Sequence, residues 1–291
     1  MRFTEAYRNG RFGLSFELFP PKTPAGDEAL YASVESMVLH RPSFITVTYG
    51  AGGSTREKTL DLAVTIRERF GVSTAAHLTC VGSSRDDLRT WLKKAADRGV
   101  ENIVALRGDP PNGQATFVPV DGGPAHANEL VAFIRDEFPG FSIAVAGYPE
   151  THREAASPEA DLANLRRKVE AGADVVITQL FYHSADFFAF RRRYEAAGIR
   201  VPLIPGILPI INFNQIRRIT GMCGAKLPPD LVAQLEAHRD DPESELEIGV
   251  SHAIRQCREL LDAGVPGLHF YVLNKAVAPF LILDALTKPC M

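Results

Sequence analysis

Apolar and β-branched residues gather along the chain in short runs: "LSFELF" (14–19), "FITVTY" (44–49), "TAAHLTC" (74–80), "NIVALR" (102–107), "FSIAVAGY" (141–148), "DVVITQL" (174–180), "VPLIPGI" (201–207) and "LHFYVL" (268–273). Runs of this length and composition predict strands covered on both faces, as in a parallel sheet. The segments between them change period. Leu30, Val34, Met37 and Val38 form one helical stripe, Leu60, Ala63 and Val64 a second, and Leu88, Trp91, Leu92 and Ala95 a third. The pattern continues with Leu130, Val131, Ile134 and Phe138, then with Leu162, Leu165 and Val169. Gly99, Gly172, Gly198 and Gly264 each stand where a helix must stop before the next strand.

Eight alternating units predict an α/β fold of the (β/α)8 TIM barrel type, whose usual size of about 250 residues leaves room for additions. The reading is one catalytic domain over 1–291, with the extra helical material between strands seven and eight, in "LPPDLVAQLEAHRD" and "ESELEIGVSHAIRQCRELLDAG". A doubly wound sheet is the runner-up, because period counting does not demonstrate closure.

Composition narrows the function. At 291 residues and 45% hydrophobic content the chain can bury a large core without disulfide staples. Lys and Arg number 32 against 35 Asp and Glu, a formal net charge of -3, so no nucleic-acid partner is expected. Cys80, Cys223, Cys257 and Cys290 form neither a CxxC pair nor a zinc-ligand cluster, which suits a reducing compartment. The charged N-terminal stretch lacks the apolar core of a signal peptide. "AVAPFLILDAL" falls short of the roughly 20 residues of a membrane span. A cytoplasmic protein with no membrane partner is the expectation.

In a barrel the C-terminal strand ends converge on one rim, where chemistry concentrates. Those ends carry Glu17; Thr48 and Tyr49; His77 and Thr79; Arg107 and Asp109; Tyr148 and Glu150; Thr178 and Gln179; the "ILPIINF" turn; and Tyr271 with Asn274. Glu17 has two readings. It is a rim carboxylate paired with Arg107 or a lysine, or an inward acid whose pKa is raised by apolar surroundings, provided that Phe16 and Leu18 face the helices. Asp109, after Gly108, either closes a turn or faces an amino-substituted heterocycle; Arg107 either clamps an anion or neutralises Asp109. His77 reads equally as a buried structural histidine or a cofactor contact. Glu17, His77, Asp109 and His152 do not have a spacing that selects a metal, and none is predicted. The Gln179 amide suits recognition of a planar ligand, and Phe213 is an aromatic that could stack on one, ranked below core packing. Phe187, Phe188, Phe190 and Tyr194 read as a packed helix face or an oligomer contact. "YGAGGST" offers backbone N–H groups to a phosphate. No GxxxxGK[ST] occurs and no GxGxxG opens a βαβ unit, so P-loop and Rossmann sites have no support.

Taken together, "LSFELFPP", "VTYGAGGSTR", "HLTC", "ALRGDPP", "YPETH", "DLANLRRKVEAGADVVITQ", "IPGILPIINF" and "HFYVLN" resemble the methylenetetrahydrofolate reductase family, in its bacterial MetF type, in the family's order and over essentially the whole chain. The resemblance implies a barrel that binds FAD along its rim. Thr48, Tyr49, His77, Arg107, Gly108, Asp109, Tyr148, His152, Asp161, Asn164, Arg167 and Lys168 fall at the family's flavin contacts, with Ala173 as a support position. It implies reduction of 5,10-methylenetetrahydrofolate to 5-methyltetrahydrofolate by NADH or NADPH, NADH preferred, in a ping-pong cycle through flavin N5. Glu17 matches the general acid that protonates folate N10. Asp109 matches the residue that engages the pterin and adjusts flavin electrostatics. Gln179, Phe213, Thr48 and Tyr271 match substrate contacts. A homo-oligomer is implied as well, and an accessory electron-transfer partner is left open.

Leu18, Arg153 and Lys275 depart from the enterobacterial pattern, where an aromatic, a proline and an arginine stand. Arg153 either adds charge near the FAD phosphates or changes loop stiffness, and Lys275 keeps charge without guanidinium geometry. The resemblance includes no regulatory extension, so control by S-adenosylmethionine is not expected. The competing reading is a (β/α)8 lyase or transferase for a phosphorylated or carboxylated substrate, with Arg107 as the anion clamp and Glu17 as acid or base.

Overall fold

The computed structural model describes residues 1–48, 55–110 and 117–287. The strands are β1 (Gly13–Leu18), β2 (Phe44–Val47), β3 (Thr74–Thr79), β4 (Asn102–Leu106), β5 (Ser142–Gly147), β6 (Val175–Thr178), β7 (Leu203–Ile204), β8 (Gly206–Ile207) and β9 (Gly267–Tyr271). They form one nine-stranded sheet in the order β7-β6-β5-β4-β3-β2-β1-β9-β8, with every pairing parallel. The helices are α1 (Phe3–Ala6), α2 (Pro24–Val38), α3 (Arg56–Phe70), α4 (Arg85–Asp97), α5 (Ala127–Glu137), α6 (Pro158–Glu170), α7 (Ser184–Ala196), α8 (Phe213–Cys223), α9 (Pro229–Ala237), α10 (Pro242–Asp262) and α11 (Val277–Thr287).

The result is a nearly closed parallel barrel wrapped in helices, with one correction to the eight-stranded expectation. The seventh run, 201–207, is two strands flanking Pro205. Proline donates no hydrogen bond, so the ladder breaks there. β7 pairs with β6, whereas β8 pairs with β9, and the Pro205 carbonyl already accepts from His269 N at 3.0 Å. The two ends of the sheet order are therefore consecutive pieces of chain. Side chains bridge the seam: Gly206 N donates to Thr178 Oγ1 at 2.9 Å, and the Tyr271 hydroxyl donates to the Thr178 carbonyl at 2.7 Å.

The predicted helix stops hold. Gly99, Gly172, Gly198 and Gly264 all have φ between +71° and +115°, a region that L side chains avoid. Helix starts are capped by Thr23, Ser84, Ser157, Asn212 and Asp241, whose side chains accept from first-turn N–H groups. Three helices, α8, α9 and α10, lie between β8 and β9, where the additional material was expected. No helix among the described residues is long and apolar enough to cross a membrane.

Alternation sorts the strand residues onto two faces. Phe16, Leu18, Ile45, Val47, Ala76, Leu78, Ile103 and Ile143 join the large core between sheet and helices. Phe44, Ala75, Val104, Ala144, Val175, Ile177 and Ile204 form a second cluster, inside the barrel, with Phe3, Ala6 and Tyr7. The N-terminal segment thus plugs the barrel floor, with the Phe3 ring edge-on to Phe44 at 4.7 Å. This use of "FTEAY" is not predicted from the sequence, because a helix of four residues, α1, is too short to show a period. Asn102, fully buried, fastens the plug: its Oδ1 accepts from Phe3 N at 2.9 Å and its Nδ2 donates to the carbonyls of Met1 and Thr74 at 3.0 and 3.1 Å. Asn102→Ala strands these groups in a dry interior and should cost about 2–3 kcal/mol in denaturant unfolding; a loss below about 0.5 kcal/mol would show the plug to be held by packing alone.

Candidate active site at the C-terminal mouth

Glu17 is the penultimate residue of β1, and with Phe16 and Leu18 committed to the helices its side chain enters the barrel. Register brings Thr46, His77 and Tyr271 to the same face. Glu17 is opposite Thr46 on β2 and Tyr271 on β9, and Ser15 is opposite His269. Only 8% exposed, Glu17 presents Oε2 at 3.2 Å from His77 Nε2 and 3.6 Å from His269 Nε2, and accepts from Thr46 Oγ1 at 3.5 Å. Among the described residues neither Arg107 nor a lysine is its partner.

The expected upward pKa shift is corrected here. Burial does push the Glu17 carboxyl up, but the two imidazoles facing it outweigh burial and hold it down, at about 2. The carboxylate is anionic because its neighbours are titratable bases rather than hydrocarbon. His77 is 4% exposed; its Nε2 faces Glu17, and its Nδ1 has no hydrogen-bond partner among the described residues. Such an orphaned ring nitrogen is what a ligand would satisfy.

The rim beyond β3 is polar. Arg107, just past β4, grips Glu154 with two parallel bonds of 2.5 and 2.8 Å, which raises its pKa; Asp109 is exposed and is not the guanidinium's hydrogen-bond partner. Gly108 has φ +87°, and a Cβ there would stand 2.9 Å from Val81 and 3.0 Å from Thr79, so backbone occupies space that no side chain could share. Past β5, Tyr148 packs edge-on to His152 at 4.7 Å, and the Lys168 ammonium lies 5.8 Å from the Tyr148 ring centroid. Lys168 donates to the Ala146 carbonyl at 2.6 Å, and burial of its ammonium pulls it down to about 8. Asp161 accepts from His152 N at 3.0 Å, while Asn164 and Arg167 bond each other on the exposed face of α6. Ala173 is buried in the core.

The remaining candidates are held close to their own backbone. Thr48 N donates to the Leu18 carbonyl and its carbonyl accepts from Thr59 Oγ1, both at 2.9 Å. Gln179 Oε1 accepts from Leu180 N at 2.9 Å, so the amide is turned back on its loop and its NH2 is the end left for a ligand. Phe213 is fully buried in a cluster with Leu180, Tyr182, Leu208 and Ile210, in keeping with the core packing ranked first for it rather than with stacking on a ligand. Its N–H donates to the buried Glu245 at 3.2 Å. Phe187, Phe190 and Tyr194 are buried on α7, as a packed face should be. Arg153 donates to the carbonyls of Gly221 and Met222 at 3.0 and 2.8 Å, so it fastens its loop to the end of α8. Tyr49, most of "YGAGGST", Pro111 and Cys290 lie outside the described residues. Among the described residues no group of three or more His, Cys, Asp or Glu could hold a metal ion.

Sequence reading stopped at the rim and so missed Ser15 and His269, one layer below it. The signal was present: each lies two residues before a named candidate, hence on the same face of its strand. Asn274 was noted without a role. It clamps the exit of β1, accepting from Phe19 N at 2.9 Å and donating to Phe19 O at 2.8 Å, from a left-handed backbone of φ +61°.

Known proteins are similar to this chain over most of its length. The family model described as methylenetetrahydrofolate reductase matches residues 2–287. The chain is 41% identical over 283 residues to methylenetetrahydrofolate reductase (NADH) 1 of Zea mays, covering 94% of this chain and 48% of that protein. It is 39% identical over 279 residues to 5,10-methylenetetrahydrofolate reductase of Pectobacterium carotovorum subsp. carotovorum, covering 95% and 91%. The chain thus spans about half the length of the plant relatives and most of the bacterial ones, and neither subtype dominates. In fold it is similar to an uncharacterized protein from Clostridium thermocellum that binds two copies of 5-methyl-5,6,7,8-tetrahydrofolic acid, with TM-score 0.65, 14% identity, and coverage of 97% of this chain and 96% of that one.

Proposed function

The chain belongs to the methylenetetrahydrofolate reductase family, and from that premise we propose that it reduces 5,10-methylenetetrahydrofolate to 5-methyltetrahydrofolate, with FAD as cofactor and NADH as the preferred donor, in two successive half-reactions. The observation that carries the reading is one buried carboxylate, Glu17, set inside the barrel mouth between two imidazoles. The plant relatives' own names supply the preference for NADH. We read the barrel as a (β/α)8 barrel whose seventh strand is cut at Pro205.

The residues present fit FAD. His77 Nδ1 has no partner among the described residues, and Lys168, Arg167 and Asn164 on α6, with His152, Tyr148 and Asp161, offer cationic, amide and ring groups. Bound there, FAD would supply the hydride relay between nucleotide and folate. The chain's own work is placement and proton supply. Glu17 delivers a proton to folate N10, which opens the imidazolidine ring to the N5-iminium that accepts hydride. Asp109 sets a negative charge at the mouth, where it favours positive character on the bound pterin. The Gln179 NH2 and the Tyr271 ring orient that heterocycle, with Thr48 beside them. Phe213 reaches a ligand only if the 208–213 turn moves out of its apolar cluster. In the lyase or transferase reading Arg107 must clamp an anion, but its guanidinium is already committed to Glu154.

Anaerobic titration of FAD-loaded protein with NADH and NADPH, followed by methylenetetrahydrofolate, tests the proposal. We expect a yellow protein that bleaches with nucleotide, more readily with NADH, and recovers its colour with folate. A colourless protein that does not take up FAD, or a reduced flavin indifferent to folate, would overturn it.

A further inference from the structure

Beneath the rim, four polar side chains meet in the barrel interior. Ser15, His77 and His269 are 0, 4 and 0% exposed, and Glu17 is 8% exposed. Ser15 Oγ lies 2.8 Å from His269 Nδ1 and 3.5 Å from the Leu268 carbonyl. A hydroxyl whose proton turns to that carbonyl keeps a lone pair for the ring, so Ser15 favours the imidazole that carries its proton on Nδ1. His269 Nε2 is then the nitrogen that gains or loses a proton, and it faces Glu17 Oε2.

Two ring nitrogens therefore converge on one carboxylate oxygen in a site that is almost wholly buried. His77 can turn its own Nε2–H to that oxygen, but His269, whose proton Ser15 holds on Nδ1, would face it with a lone pair. A further proton on His269 Nε2 removes that repulsion and leaves the cluster neutral overall. His77 Nδ1 has no partner among the described residues, which leaves it available to a ligand above, whereas His269 is fixed from below by Ser15. The other titratable groups facing the cluster are Tyr271 on β9 and Tyr7 beside Ser15; burial raises both phenols, so they stay protonated.

We propose that His269, oriented by Ser15, is the positioning residue that stores the proton Glu17 delivers. The inference rests on the reductase reading and deepens it. At rest the pair is imidazolium and carboxylate. As substrate enters, the His269 Nε2–H bond breaks and an O–H bond forms on Glu17; that O–H then breaks as N10–H forms on folate. The cluster ends one proton short and regains it from solvent, so each turnover consumes one solvent proton together with one hydride from the nucleotide.

Nitrogen NMR of ring-labelled histidine in the full chain, at pH 7 and without folate or nucleotide, tests the proton store independently of turnover. The expected spectrum has protons on both ring nitrogens of His269. Glu17→Gln should remove the Nε2 proton, leaving Nδ1 protonated, and Ser15→Ala should abolish the preference for Nδ1. If Glu17→Gln does not fold, the Ser15→Ala spectrum decides alone. A His269 ring that is neutral in the unsubstituted chain, or unchanged by these substitutions, overturns the inference. In the folate half-reaction, His269→Gln should slow the step by about tenfold or more at pH 8, with the deficit shrinking as pH falls; a deficit independent of pH would mark a structural role and overturn it. The NMR result stands or falls whether or not folate is reduced, so it separates this inference from the family reading.

Discussion

Glu17→Gln should slow the folate half-reaction by ~10²–10⁴-fold, the usual worth of a positioned acid, and slow flavin reduction by nucleotide far less. The substitution keeps the shape of the side chain and its place in the barrel while removing the atom that holds a transferable proton. Nucleotide oxidation needs hydride transfer alone, so the two half-reactions part company. Rapid-mixing absorbance of the flavin, with nucleotide and folate in separate experiments, reads both. An unchanged folate step would remove Glu17 from the acid role. Equal loss in both steps would reduce it to a structural residue.

Gly206→Ala should be strongly disruptive at the mouth. A Cβ on Gly206 would stand 2.3 Å from the Thr178 carbonyl oxygen and 2.6 Å from the Tyr271 ring. Both groups form the seam between β6, β8 and β9, and a backbone carbonyl cannot swing aside as a flexible side chain can. Overpacking of this kind costs on the order of 3 kcal/mol. Denaturant unfolding measures it, with Gly140→Ala as the control because nothing lies within 4 Å of its Cβ position. The control should stay within about 0.5 kcal/mol. If Gly206→Ala matches it, the seam is pliable and side-chain bridging does not close the barrel.

The barrel was largely legible because parallel strands covered on both faces leave unmistakable apolar runs, and because a left-handed turn at a helix end leaves a glycine. Pro205 also carried its message, since a proline inside "VPLIPGI" has no N–H for the ladder and splits the strand. The inward direction of Glu17 followed from alternation with Phe16 and Leu18. Its electrostatics did not, because they depend on His77 and His269, which are remote in sequence and adjacent only through register. Arg107 shows the same limit: Asp109 is its near neighbour along the chain, but Glu154, across the rim, has the geometry for two parallel bonds. Phe213 carries two readings in the sequence, core packing ahead of stacking on a ligand, and the satellite core built by helices α8, α9 and α10 buries it.

The union of β1 with β9 ties the chemistry to the order in which the polypeptide is made. Ser15 and His269 touch across 254 positions of sequence, so a ribosome must pass β9 before the acid acquires its second imidazole, long after His77. A molecule cut short before β9 carries Glu17 and His77 without His269, and closure of the sheet and the onset of proton delivery become a single event.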